Sequence, residues 1–109
     1  MLATTLAGAA FAQQPAPPSP AFAAANLSPK GAAAMATACA MCHGSDGLPV
    51  AGSMVAPLAG RPAQGTIDAM KAFREGKRDA TIMHQVARGY SDAEVAAIAA
   101  YFAARRQAP

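Results

Sequence analysis

The chain has 109 residues, a length typical of one domain. Hydrophobic residues make up 53% of it, but many are alanine, with four Phe, two Tyr and no Trp, so a core built from side chains alone would be thin. The net charge of +3 comes from basic residues that are spread along the chain, which argues against a nucleic-acid-binding protein and suits docking to an acidic protein partner.

The first 26 residues carry patterns of export rather than of a fold. Residues 1–12 contain a short apolar run and the small-residue pattern Ala10-Phe11-Ala12, which indicate the remnant of a secretion signal. The run is too short to span a bilayer, so no membrane span is predicted. Residues 13–26 contain four prolines and predict an extended linker, as a spacer or as a disordered leader. We therefore expect an exported, periplasmic protein whose single domain covers residues 27–109.

A first helix is predicted where Ser28 can act as the N-cap and Pro29 occupies the first helical position. It runs to Cys42 and ends at Gly44. Residues 44–65 are rich in Gly and Pro and show no periodicity, which predicts a long loop. A loop of this length in a small domain indicates a functional segment, or one that wraps around a bound group.

Three more helices are predicted further along the chain. Thr66 can cap the second, which stops at Gly76, and Asp79 can cap a short third helix that closes at Gly89. The last helix opens with a capping box, Ser91-Asp92-Ala93-Glu94. No strand pattern is present, so the predicted fold class is all-α with about four helices. The apolar positions of these helices are Ile67, Met70, Phe73, Ile82, Met83, Val86, Val95, Ile98, Tyr101 and Phe102.

The segment Cys39-Ala40-Met41-Cys42-His43 is a C-x-x-C-H pattern, the attachment signature of c-type haem. One helical turn separates the two thiols, which suits their addition to the two vinyl groups of haem. The next residue, His43, then lies where its imidazole can bind the iron. The sequence therefore predicts one haem c, attached through Cys39 and Cys42. A thioredoxin-type motif would need a strand-helix-strand context, and a zinc site would need four ligands, where only His84 stands out beyond the motif.

The second axial ligand decides what such a haem can do. Methionine gives a six-coordinate electron-transfer iron, whereas an open position suits gas binding or peroxidase chemistry. Met83 is the predicted ligand, because it lies forty residues after His43 in a capped segment and can reach the opposite haem face. Met54 follows His43 by only eleven residues, and Met70 belongs to a helical apolar face. His84, an open site and ordinary packing of Met83 are the alternatives.

From residue 27 to residue 106 the chain resembles a class I cytochrome c. In that family the first and last helices cross near a right angle, through a glycine and an aromatic residue on one helix and an aliphatic and an aromatic residue on the other. Gly31 with Met35, and Ile98 with Tyr101, are similar to those pairs, with methionine in place of one aromatic. The resemblance implies a small cytochrome c fold wrapped around one haem.

Three more residues are candidates for the haem site. The stretch VAPLAG resembles the family's proline segment after the haem motif, and this implies that the Pro57 carbonyl accepts a hydrogen bond from the His43 ring. Arg61 is a candidate partner of a haem propionate, with a solvated arginine as the alternative. Tyr90 is a candidate for lining the distal side of the haem, with ordinary packing after Gly89 as the alternative.

The stretches CAMCHGSDG, PLAGRP, MKAFREGKRDATIM and ARGYSDAEVAAIAAYFA are similar to the cytochrome subunit of flavocytochrome c sulfide dehydrogenase. In that family the methionine of the TIM-like segment binds the iron, which corresponds to Met83. The resemblance implies one-electron transfer from a flavoprotein that oxidises sulfide. We expect the chain itself to be monomeric and to have no catalytic site of its own. The alternatives are a free periplasmic shuttle to an oxidase or other redox enzyme and, less favoured, a ligand-binding or peroxidatic haem protein. The candidate docking residues are Lys71, Arg74, Lys77 and Arg78.

Overall fold

The computed structural model describes residues 27–106. The predicted secretion signal at 1–12 and linker at 13–26 lie outside the described residues, as does the end of the chain from 107 to 109. Within 27–106 the chain forms helices and no strand, which confirms the all-α prediction. None of the helices in this part is long and apolar enough to cross a bilayer. The helices are α1 (Pro29–His43), α2 (Ala63–Arg74), α3 (Met83–Arg88) and α4 (Asp92–Ala103), with a 3₁₀ turn at Ser45–Gly47.

Local signals start and stop α1 where the sequence predicts. The Ser28 hydroxyl accepts a hydrogen bond from the Gly31 N–H (3.0 Å), and Pro29 is the first helical residue. Gly44 ends the helix with a φ of +84°, a left-handed conformation. A Cβ at this position would lie 2.0 Å from the Leu48 carbonyl oxygen, so glycine is required here.

The starts of α2 and α3 differ from the prediction. α2 begins at Ala63, directly after Pro62, so Thr66 is a buried residue of its first turn and not its cap. Proline can take this place because it has no N–H to leave unpaired. α3 begins at Met83 without a side-chain cap, whereas Asp79 is exposed and lies outside the helix.

The helices pack around α4, which contacts both α1 and α2, while α2 also contacts α3. Two apolar clusters result. The first cluster consists of the buried residues Ala36, Ile98 and Phe102 and the half-buried residues Met35, Cys39, Leu58, Tyr90 and Tyr101. The second cluster consists of the buried residues Met70, Ala87 and Val95 and the half-buried residues Ile67, Phe73, Met83 and Tyr90. The first cluster confirms the predicted contact between the first and last helices, since it joins Met35 to Ile98 and Tyr101.

The core is thin, as the composition indicates. Five of the nine buried hydrophobic residues between 27 and 106 are alanine, and Phe102 is the one large side chain that is fully buried there. The loop before α2 closes over this ring. Leu58 and Ala59 donate their N–H groups to the Gly47 carbonyl (2.9 and 3.2 Å), and Gly60 donates to the Phe102 carbonyl (2.9 Å). Gly47 has a φ of +78°, and a Cβ there would lie 2.9 Å from the Phe102 ring.

The N-terminus of α4 is held by local and long-range polar contacts. The predicted capping box is confirmed: Ser91 Oγ accepts from the Glu94 N–H (3.1 Å), and the Glu94 carboxylate accepts from the Ser91 N–H (2.9 Å). Asp92 pairs with Arg74 of α2. The guanidinium hydrogen bond and charge hold the pKa of Asp92 below its ordinary value, and Lys71 adds to this effect.

Because the folded chain keeps Asp92 ionised to a lower pH than the unfolded chain does, the pair stabilises the fold fully at neutral pH. This contribution is lost as the pH falls from about 4 through the lowered pKa of the folded state. We therefore expect Asp92→Asn to lower the free energy of unfolding at pH 7 and to converge with the parent protein in acid. Denaturant unfolding at several pH values measures this. Asp79→Asn, at an exposed carboxyl outside the helices, is the control, and an equal loss in both variants at pH 7 would contradict the expectation.

Candidate functional site

The two cysteines and the histidine of the C-x-x-C-H pattern lie together on the last turn of α1. Both thiols are free, with Cys39 half-buried against the first cluster and Cys42 exposed. Burial raises the pKa of the Cys39 thiol above its ordinary value, an effect that a backbone hydrogen bond opposes. Both sulfur atoms are therefore available on one helical turn, with His43 directly after them.

The His43 ring is held by the backbone of the following loop. Its Nδ1 donates to the Ala56 carbonyl oxygen at 2.6 Å. A carbonyl oxygen can only accept, so the neutral imidazole carries its hydrogen on Nδ1 and its lone pair on Nε2. This is the arrangement in which a histidine is ready to bind a metal through Nε2.

The prediction that the Pro57 carbonyl accepts this hydrogen bond is wrong by one residue. Successive carbonyls of a non-helical segment point in different directions, so only one of two neighbours can face the ring. The hydrogen bonds from Leu58 and Ala59 to the Gly47 carbonyl fix the position of this segment. In that position the Ala56 carbonyl faces the His43 ring. The sequence holds no local signal that separates Ala56 from Pro57, since the choice depends on a contact eleven residues away.

Tyr90 connects this end of α1 with the segment that carries Met83. Its ring packs against the first cluster, which includes Cys39, and against the second cluster, which includes Met83. Burial raises the pKa of the Tyr90 hydroxyl, and the charges of Cys39 and Glu94 act in the same direction. Tyr90 is thus shared by the apolar cluster that contains Cys39 and the one that contains Met83.

The other methionines occupy different environments. Met83 is half-buried at the start of α3. Met70 is buried in the second cluster, as its helical position predicts, and Met35 packs in the first. The Met54 side chain in the loop is fully exposed. His84 is half-buried, and its Nδ1 is a buried atom with no hydrogen-bond partner among the described residues.

Arg61 is half-buried, two residues before α2, and its backbone N–H lies 3.4 Å from the Leu58 carbonyl oxygen. Nothing in this placement tests a contact with a propionate, so that role stays a prediction.

The residues of this site fit a covalently bound haem. The donor chemistry is complete on one side, with two free thiols and an imidazole whose Nε2 carries a lone pair. The apolar surface of a planar group would also complete a core in which five of nine buried hydrophobic residues are alanine. Two apolar side chains that adjoin site residues in the sequence are exposed, Val55 (37%) next to Ala56 and Ile82 (62%) next to Met83.

Two cavities in the described part of the chain have linings that contain none of Cys39, Cys42, His43 and Met83. One, of about 430 Å³, lies between α2 and the start of α4 and includes Lys71 and Asp92 in its lining. The other, of about 200 Å³, lies beside α1 and includes Asp46 and Tyr101, whose hydroxyl donates to the Asp46 carboxylate at 3.2 Å.

Comparison with known proteins gives consistent relatives. The chain is 37% identical over 70 residues to cytochrome c-554(548) of Halomonas halodenitrificans. The matched stretch covers 62% of this chain and 83% of that protein. It is 43% identical over 68 residues to the thiosulfate dehydrogenase electron acceptor of Stutzerimonas stutzeri (60% of this chain, 31% of that protein). It is 34% identical over 68 residues to the cytochrome subunit of sulfide dehydrogenase of Chlorobaculum tepidum (62% and 60%). The chain thus spans less than two thirds of these last two proteins.

The family model that matches the chain covers almost all of the helical domain. It is the model of cytochrome c and extends over residues 28–104, from the N-cap of α1 to the end of α4. The C-x-x-C-H turn, the loop that holds His43 and the segment that begins at Met83 all lie inside this range. The chain is therefore a member of the cytochrome c family.

Proposed function

We propose that this chain carries single electrons through one haem c attached at Cys39 and Cys42, with His43 and Met83 as the axial ligands. When bound, haem c supplies an iron that gains and loses one electron. Electron transfer as such follows from the family, whose domain also implies covalently bound haem. The chain's own residues determine how firmly the iron is held and at what potential it works.

The hydrogen bond from His43 Nδ1 to the Ala56 carbonyl is the observation that carries the proposal. It fixes the ring orientation and the tautomer before any metal is bound, and it makes Nε2 a stronger donor. The acceptor is main chain, and its segment is anchored to Gly47 and, through Gly60, to Phe102 of α4. The helix that carries the thiols and the loop that orients the imidazole are therefore held by the same core.

The surroundings of Met83 support its assignment as the second ligand. Its thioether is half-buried in the second cluster, and Tyr90 connects that cluster to the one containing Cys39. A thioether is a soft ligand that raises the potential of a haem iron, and an apolar setting limits access of water. Met54, by contrast, is fully exposed.

The proposed electron donor is a dehydrogenase that oxidises a reduced inorganic sulfur compound. The first candidate is a sulfide-oxidising flavoprotein, which the resemblance to the cytochrome subunit of sulfide dehydrogenase supports. The second candidate is a thiosulfate dehydrogenase, which the 43% identity to an electron acceptor of that name favours. A periplasmic location belongs to the same proposal, and the small-residue pattern in residues 1–12 supports it.

Rapid-mixing experiments with the oxidised holoprotein test the donor. We expect the flavoprotein subunit of a sulfide dehydrogenase, mixed with sulfide, to reduce the protein much faster than sulfide alone does, as followed by the absorbance of the reduced haem. The parallel mixture contains thiosulfate dehydrogenase and thiosulfate. Size-exclusion chromatography at low and high salt then separates a stable subunit complex from a weak, salt-sensitive encounter.

Each outcome selects one candidate. Acceleration by the flavoprotein with co-elution supports a flavocytochrome subunit, and acceleration only by the second enzyme supports a thiosulfate dehydrogenase acceptor. If neither enzyme accelerates the reduction beyond its substrate alone, the sulfur-compound donor is wrong and a free shuttle is the better interpretation.

A further inference from the structure

We propose that Arg74 is a positioning residue that holds the segment from Met83 to Tyr90 in the place from which Met83 reaches the iron. The inference rests on the proposed function, because it takes Met83 as the iron ligand. The sequence makes Arg74 a candidate for a basic docking face, but its guanidinium bonds two main-chain carbonyls and a carboxylate of this chain.

The Arg74 side chain bonds three points on the chain that follows Met83. Its Nε donates to the Ala87 carbonyl at 3.3 Å, and its Nη2 donates to the Tyr90 carbonyl at 2.9 Å. Its Nη1 donates to the Asp92 carboxylate at the start of α4. Only 29% of the Arg74 side chain is exposed. One rigid, planar cation therefore ties α2 to the end of α3, to Tyr90 between α3 and α4, and to the start of α4.

The neighbouring basic residues behave differently. Lys77 pairs with Glu75 of its own turn at 2.9 Å, and the pair is largely exposed. The Arg78 guanidinium lies 4.8 Å from the centre of the Phe73 ring, also close in sequence. Neither of these contacts reaches α3 or Tyr90, so Arg74 is distinguished by what it bonds and not by its charge.

α3 needs such support from outside. It has six residues and no side-chain cap at its start, and helices this short are not stable on their own. The carbonyls at a helix end lack partners within the helix, and a cation placed there also suits the helix dipole. Arg74 supplies a hydrogen-bond donor and a positive charge to the Ala87 carbonyl, and Ala87 itself is fully buried.

Loss of this support would affect the position of Met83 most directly. Met83 lies one helical turn before Ala87 on the same face, and both belong to the second cluster. The bond from Arg74 to the Tyr90 carbonyl fixes the other end of the segment. The Tyr90 side chain belongs to both clusters. Without the guanidinium, α3 keeps its apolar packing on α2 but loses its polar tie to that helix, and the Met83 thioether would leave the iron more often.

Substitution of Arg74 in the holoprotein tests this role. In Arg74→Gln we expect the rate of carbon monoxide binding to the ferrous protein to rise about tenfold or more, as the loss of charged hydrogen bonds predicts. We also expect a lower reduction potential. On heating, the methionine–iron absorption band should disappear at a lower temperature than the helical circular dichroism signal does. Arg74→Lys, which keeps the charge but not the fork, should give intermediate values. Arg78→Gln is the matched control and should behave as the parent protein.

A purely structural role would lower the unfolding temperature of Arg74→Gln without changing carbon monoxide binding or the potential where the protein is folded, and that result would overturn the inference. If Arg74→Gln does not accumulate as folded holoprotein, Arg74→Lys decides in the same way: intermediate values support the inference and parental values overturn it. Failure of the proposed function is recognised separately, because the band would then survive substitution of Met83 itself.

Discussion

Met83→Ala is expected to abolish the methionine–iron charge-transfer band of the ferric protein and to let the ferrous protein bind carbon monoxide rapidly. An alanine methyl group has no lone pair to offer the iron, and the vacated place on the second cluster admits a small ligand. The reduction potential should fall by a measurable part of the roughly 0.8 V over which axial ligands set haem potentials. Absorption spectra, a spectroelectrochemical titration and stopped-flow mixing with carbon monoxide measure the three effects.

Two further substitutions make this prediction specific. Met54→Ala removes a fully exposed thioether from the loop and should leave the band and the potential unchanged. His84, the alternative ligand that the sequence offers, follows Met83 directly and has a buried Nδ1 without a hydrogen-bond partner among residues 27–106, so replacement of Met83 by His84 has to be tested. The double variant Met83→Ala/His84→Ala excludes this replacement, and it should bind carbon monoxide at least as fast as Met83→Ala. Survival of the band in Met83→Ala would show that another residue binds the iron.

The parts of the fold that follow from the sequence are those that local contacts determine. Ser28 caps α1 through the Gly31 N–H three residues on, and the capping box of Ser91 and Glu94 lies within one turn of α4. The turn carrying Cys39, Cys42 and His43 is equally local, since its spacing alone places the three groups together. These features need no knowledge of the rest of the chain.

The features that the sequence does not reveal depend on contacts between distant segments. α3 begins at Met83 rather than near Asp79, and it is held from α2 by Arg74, thirteen residues before Ala87. The Ala56 carbonyl accepts the hydrogen bond from His43, because the loop that contains Ala56 is anchored to Gly47. Neither local propensity nor a pattern of hydrophobic residues carries this information.

Thr66 illustrates the same limit within a helix. A threonine before an apolar run is a good N-cap in isolation, yet α2 starts three residues earlier, after Pro62. The Thr66 side chain is consequently buried, with a hydroxyl that has no hydrogen-bond partner among the described residues. Packing of α2 against α3 and α4 has overridden the local preference for a cap at this residue.

The second large effect is expected at the core. Phe102→Ala should lower the free energy of unfolding by about 3–5 kcal/mol, the usual cost of emptying the space of a buried phenylalanine. This is a large part of the roughly 5–15 kcal/mol that stabilises an ordinary domain. The ring is 1% exposed and is the one large side chain fully buried between residues 27 and 106. Denaturant unfolding of the oxidised holoprotein, followed by circular dichroism, measures the change.

Phe102→Leu is the matched control, because it keeps most of the apolar volume and should cost less than about 1.5 kcal/mol. Both substitutions preserve the hydrogen bond from the Gly60 N–H to the backbone carbonyl of residue 102, so the comparison isolates the ring from the anchoring of the loop. A loss below about 1 kcal/mol in Phe102→Ala would mean that the thin core collapses into the vacated space. In that case the bound haem, and not the α1–α4 contact, would be the main apolar support for the turn that carries Cys39 and His43.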